Sequence, residues 1–139
     1  MMNNILAPVD GSQYMERNIT YACDVAKSMR SKLTLLHIVT VPTVTEPGLV
    51  IDLKPFEEAG SKIMEKAKKV ARDQGVDANT KTGTTYGNPA HEIIRAAEEG
   101  RFDLIVIGAK GHSLLRNLMI GSVTDAVVRS ATCPVLVVR

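Results

Sequence analysis

Apolar positions along the chain recur in two ways: as short continuous runs, and as stripes spaced three and four apart. The runs fall at residues 4–9 (Asn4-Ile5-Leu6-Ala7-Pro8-Val9), 32–39 (Lys32-Leu33-Thr34-Leu35-Leu36-His37-Ile38-Val39), 102–107 and 134–138. All four predict strands, and the four consecutive aliphatics 104–107 predict one buried on both faces. Residues 76–86, with Val76 and four threonines, predict a fifth strand with weaker burial. Between the runs lie the stripes. Met15, Ile19, Ala22, Cys23, Ala26 and Met29 mark one face of a helix from residue 12 to about 30. Phe56, Ala59, Ile63, Ala67, Val70 and Ala71 mark another, opened by Pro55 and ended by Gly75. Gly87-Asn88-Pro89 starts a third, with Asn88 as cap, Ile93, Ile94 and Ala97 inward and Gly100 closing it. A fourth runs from Ser122 to about residue 130 with Val123, Ala126 and Val127 apolar. Residues 40–54, interrupted by Pro42, Pro47 and Gly48, predict a long loop.

Strand and helix alternate from end to end, which predicts an α/β fold: an open, mainly parallel sheet with helices on both faces. In such sheets ligands sit beyond the carboxyl ends of the strands, where strand order reverses. Those ends carry Asp10, the stretch from His37 to Val39, and Gly108. Three separate stretches are thus expected to meet in one crevice.

With 139 residues the chain is expected to form one domain, 1–139. A net charge of +2 does not point to nucleic acid, whose binders usually carry a clustered basic face. The helix face carrying Lys62, Lys66, Lys68 and Lys69 also carries Glu58 and Glu65, and reads as solvated surface. No apolar run approaches the ~20 residues that cross a bilayer, and no basic segment precedes an apolar signal core. The expectation is a cytoplasmic protein without membrane contact. Cys23 and Cys133 stand far apart with no Cys-x-x-Cys pair, so core packing is expected rather than zinc or redox chemistry.

The chemistry concentrates in one stretch. The run Leu104-Ile105-Val106-Ile107 stops at Gly108; Gly111 follows, and after nine more residues comes Gly121-Ser122 at a helix start. Glycines let a backbone turn tightly and approach a ligand, and a helix start offers free N–H groups to an anion. The pattern predicts strand, glycine loop and a phosphate site built from backbone. Lys110, His112 and Arg116 either neutralise phosphate charge or belong to a solvated loop. Asp10 either meets ribose or a phosphate-bound divalent ion, or is a turn aspartate capping the next helix. His37 reads as packed or bonded to backbone, and His91 has no evident partner in sequence. Neither Gly-x-x-x-x-Gly-Lys-Ser/Thr nor Gly-x-Gly-x-x-Gly is present. There is no nucleophile elbow, kinase signature or pair of catalytic carboxylates, and no obvious base to orient water for hydrolysis.

These residues together resemble the universal stress protein family over the whole chain. Residues 5–12 match its opening strand and turn, and residues 35–39 its second strand. Gly108, Gly111, Gly121 and Ser122 match the Gly-x2-Gly-x9-Gly-Ser motif of its ATP-binding branch, followed by Val123-Thr124 and the closing stretch 133–138. The resemblance implies a Rossmann-like sheet of five parallel strands in the order 3-2-1-4-5. It implies that Pro8, Asp10 and Ile38 line the adenine and ribose side, with Ile107 and Gly108 nearby and Val9 among the cofactor-binding residues. Gly111, Gly121, Ser122 and Val123, flanked by Lys110 and His112, would hold the phosphates of ATP (or AMP or ADP). Asp10 would help hold Mg2+ or Mn2+ on them. It also implies a homodimer paired through residues 134–138, a protein partner downstream, and a nucleotide-dependent switch or sensor in stress adaptation. Two other readings stay open: a slow ATPase or (auto)phosphotransferase, and a sensor of AMP or another adenine compound.

Overall fold

The computed structural model describes residues 2–43, 46–110 and 120–139. Its elements are β1 (Asn4–Pro8), α1 (Met15–Met29), β2 (Lys32–Thr40), α2 (Lys54–Asp73), β3 (Asn79–Thr85), α3 (Ala90–Glu99), β4 (Leu104–Gly108), α4 (Ser122–Ser130) and β5 (Val135–Val138). The strands form one sheet in the order β3-β2-β1-β4-β5. Every pairing is parallel. The alternation of strand and helix predicts an open parallel sheet, and the order is the 3-2-1-4-5 that the family resemblance implies.

The two-residue period of a strand sends alternate side chains to opposite faces, and here both faces are covered. Ile5, Ala7, Leu33, Leu35, Leu104 and Val106 pack with Ile19 and Ala22 of α1 and Met64 and Ala67 of α2. Leu6, Leu36, Ile105 and Ile107 pack on the other face with Ala90, Ile93 and Ala96 of α3 and Val127 of α4. The central strands are mostly apolar because neither face meets water.

Several boundaries depart from the sequence pattern. The helix predicted from residue 12 begins at Met15. The Asp10 carboxylate accepts the Ser12 N–H (3.0 Å) and the Ser12 hydroxyl accepts the Tyr14 N–H (3.3 Å), so a turn comes first. Gly11 at φ +72° makes that turn possible. Met29 is exposed rather than part of the buried stripe. β3 is shorter than residues 76–86 and has no buried residue, since it forms one edge of the sheet. β5 forms the other edge, so its apolar run is only partly covered. Asn88 accepts the Ala90 N–H (2.9 Å), with Pro89 already helical, as a cap should.

The amino end of the sheet is tied by Asp103. One carboxylate oxygen accepts the N–H groups of Asn3 (2.8 Å) and Asn4 (2.9 Å), joining the start of β4 to the start of β1. These two bonds favour the ionised form and hold the carboxyl below its ordinary range. Among the described residues, no helix is long and apolar enough to cross a membrane.

Candidate functional site

At the carboxyl ends of β1, β2 and β4 lies a cavity of about 470 Å³. It straddles the crest of the sheet. Asn18 of α1 and Phe56, Ala59, Gly60 and Ile63 of α2 wall it on one face; Pro89, Ile93 and residues 121–124 wall it on the other. This placement explains the first turns of α2. Phe56 and Ile63 are half-buried and Ala59 is exposed, although all three lie on the apolar stripe. They stand over the cavity, while Met64, Ala67 and Ala71 further along sit on the sheet.

The floor is built from two strand exits. At the end of β1, Pro8 pairs with Leu36, and the missing proline N–H falls where the ladder ends. The Val9 N–H donates to the Leu36 carbonyl (2.8 Å), and the Val9 carbonyl meets Nδ1 of the buried His37 at 2.8 Å. A carbonyl only accepts, so Nδ1 carries the proton. The imidazole is thereby committed to holding the backbone just before Asp10, which is the packed, backbone-bonded role expected for it. Helix α2 presses close here: a side chain on Gly60 would stand 3.1 Å from both His37 Cδ2 and Val39 Cγ2.

At the end of β4, Gly108 differs from its expected role as a turn glycine. It is the last strand residue, paired with Val138, and its φ is not positive. A Cβ there would stand 2.0 Å from Nδ2 of Asn18. The residue is glycine because the Asn18 carboxamide occupies the space. The Gly108 carbonyl accepts the buried Thr124 hydroxyl at 2.6 Å, which pins the first turn of α4 to the strand. The Gly121 N–H donates to the Ala109 carbonyl (2.7 Å), so the chain returns to β4 just as α4 begins. Gly121 is extended (φ −61°, ψ 156°), and a Cβ there meets only the Ala109 carbonyl oxygen at 3.4 Å and the Lys110 Cα at 3.9 Å. Ser122 is the first residue of α4 and is exposed.

The electrostatic character follows. The start of α4 contributes partial positive charge from N–H groups that have no partner within the helix. Lys110 adds a full charge on the cavity wall, its ammonium 5.9 Å from the centre of the Tyr14 ring. Asp10 contributes a carboxylate across the floor. The lining therefore combines one lysine, one carboxylate and a helix start with the apolar side chains of Ile38, Phe56, Ile63 and Ile93.

Of the residues singled out from sequence, Pro8, Val9, Asp10, Ile38, Ile107, Gly108, Lys110, Gly121, Ser122 and Val123 all line this cavity. Gly111 and His112 lie outside the described residues. Asn18, Phe56, Gly60, Ile93 and Thr124 line it too and were not foreseen. Phe56 and Ile93 belong to apolar helix stripes, which read alike whether they face a cavity or core; Thr124 only follows the glycine motif, and Asn18 and Gly60 belong to no stripe. Among the described residues, no three His, Cys, Asp or Glu side chains cluster as a metal cage would. The donor set instead fits an ion carried on ligand phosphates, with Asp10 as a single protein carboxylate.

A family model described as "Universal stress protein family" matches residues 1–139. Universal stress protein YxiE of Bacillus subtilis is 37% identical to this chain, with 100% of each chain covered. The chain belongs to the universal stress protein family. Among solved structures, universal stress protein UspA from Lactobacillus plantarum shares 33% identity at a TM-score of 0.74, covering 99% of this chain and 98% of that one. Two neighbours were solved with nucleotides. The universal stress protein from Archaeoglobus fulgidus in complex with dAMP shares the fold at 21% identity and a TM-score of 0.72, covering 100% and 98%. A universal stress protein in complex with cAMP does so at 24% and 0.76, covering 99% and 97%.

Proposed function

We propose that this protein binds ATP, with Mg2+ or Mn2+ carried on the phosphates, and acts as a cytoplasmic, homodimeric switch in stress adaptation. The observation that carries the reading is the cavity itself. Its volume lies within the range of small-molecule sites. It offers apolar side chains for a base, and a helix start, a lysine and two small residues for an anion. In this reading Pro8, Ile38 and Ile107 take the adenine and ribose side. Gly111, Gly121, Ser122 and Val123 hold the phosphates through N–H groups and the serine hydroxyl, with Lys110 and His112 beside them. Asp10 takes the metal. Turnover is slow or absent, and a partner protein reads the arrangement of the surrounding loops.

The test is calorimetric titration of nucleotide-stripped protein with ATP, with and without magnesium, and with AMP. Magnesium-dependent ATP binding is expected. Gly121→Asp has room for its Cβ and sets a negative charge at the phosphate position, so it should abolish binding while the circular dichroism and melting temperature stay native. A variant that binds ATP normally would put the phosphates elsewhere. A second reading, in which the natural ligand is an adenine monophosphate, draws support from the dAMP and cAMP complexes of the two neighbours. Equal affinity for AMP and ATP would favour it.

A further inference from the structure

Asn18 stands on the cavity wall, its carboxamide packed against Gly108. It stands on α1 one turn after Tyr14, with its backbone N–H on the Tyr14 carbonyl (3.0 Å). Its neighbours Met15, Ile19 and Ala22 fill the core, whereas Asn18 is half-buried and faces the cavity. Among the described residues its carboxamide has no hydrogen-bond partner. No buried side-chain N or O among the described residues lacks a partner, so the Asn18 carboxamide is not sealed off but open to what fills the cavity. It holds that place against Gly108, where even a methyl group would collide with Nδ2.

The surroundings indicate what the carboxamide meets. Gly108, against which it lies, is the residue that Thr124 ties to the first turn of α4. Lys110 reaches back over Tyr14, which shares the α1 face with Asn18. The amide therefore stands against the strand end to which the first turn of α4 is tied. We infer that Asn18 is a ligand-binding residue whose Nδ2–H donates to a phosphate oxygen, and that Gly108 and Asn18 form a size-matched pair. This inference rests on the nucleotide reading. It makes the cavity selective for the phosphorylated form of its ligand over the bare nucleoside, because an N–H bond to a phosphate oxygen is stronger than one to water or a neutral hydroxyl.

The experiment compares ATP and adenosine binding to the native protein, Asn18→Ala, Asn18→Asp, Gly108→Ala and the Asn18→Ala/Gly108→Ala double variant. Asn18→Ala should weaken ATP about tenfold to a hundredfold, the scale of a lost bond to a charged group, and leave adenosine within about twofold. Asn18→Asp keeps the shape, reverses the chemistry, and should weaken ATP further. It also settles the matter if the alanine variant does not fold. Gly108→Ala should mimic Asn18→Ala by displacing the carboxamide, and the double variant should bind no worse than Asn18→Ala alone. Unchanged ATP affinity in Asn18→Ala, or an equal loss for adenosine, overturns the inference while leaving the nucleotide reading intact. Native protein that binds neither ligand removes both, and does so before any variant is compared.

Discussion

At the scale of single residues, the two ends of the sheet use side chains differently. Asp103 works for stability. Its carboxyl is held below its ordinary range by the Asn3 and Asn4 N–H groups. A depressed folded-state value means that the stabilisation is present above the unfolded-state value and is lost as pH falls through the folded one. Urea titrations should show a midpoint that is flat near neutrality and falls in the acid range below pH ~4. Asp103→Asn should have a lower neutral midpoint and a shallower acid decline; an identical acid decline would remove Asp103 as the cause. Little of this was legible in advance. Asp103 precedes an apolar run, and nothing in its neighbours reveals that residues 3 and 4 come to it across the sheet. Asp10 was legible as a turn residue because its partner, Ser12, is two positions away. Cys23 was read as core from its helix stripe, and it is fully buried, with burial raising its thiol above the usual range.

At the scale of elements, periodicity foretold each strand and helix, and local chemistry misplaced their ends. The start of α1 slipped by a turn because Asp10 and Ser12 spend their side chains on a turn before the helix begins. The pairing of helix and sheet was harder to see. Gly60 sits mid-helix, where glycine costs about 1 kcal/mol against alanine, and only the approach of α2 to β2 accounts for it. Gly60→Val should push against His37 and Val39. Overpacking of this kind costs about 1–3 kcal/mol, measurable as a lowered denaturation midpoint with native helix content. A stability equal to native would mean that α2 has slack the structure does not show. The glycines that marked the site from sequence did so for mixed reasons: Gly108 makes room for a side chain, and Gly121 is free to accept one.

At the scale of the whole molecule, the two edges of the sheet are unlike. β3 presents Asn79, Thr80, Lys81 and Thr82, all exposed and polar, which suits an edge in water. β5 presents Leu136, 38% exposed, close in sequence to Val128 of α4, 47% exposed. An apolar edge calls for a cover, and the proposed dimer supplies one by pairing β5 with its copy. Leu136→Glu should convert a sedimenting dimer to a monomer with an unchanged circular dichroism spectrum. A dimer that survives the substitution would place the contact on another surface.

Helix α4 spans the distance between these two regions. Its first turn is pinned to Gly108 at the cavity, and its last residues lead within a few positions into β5 at the edge. Under the proposed function, a ligand that shifts α4 and a dimer that engages the shifted α4 are thermodynamically linked. The linkage is reciprocal. A ligand that tightened self-association tenfold, about 1.4 kcal/mol, would itself be held tenfold more tightly by the associated form. Protein concentration would then set ligand sensitivity, so the abundance of the chain would be part of its response.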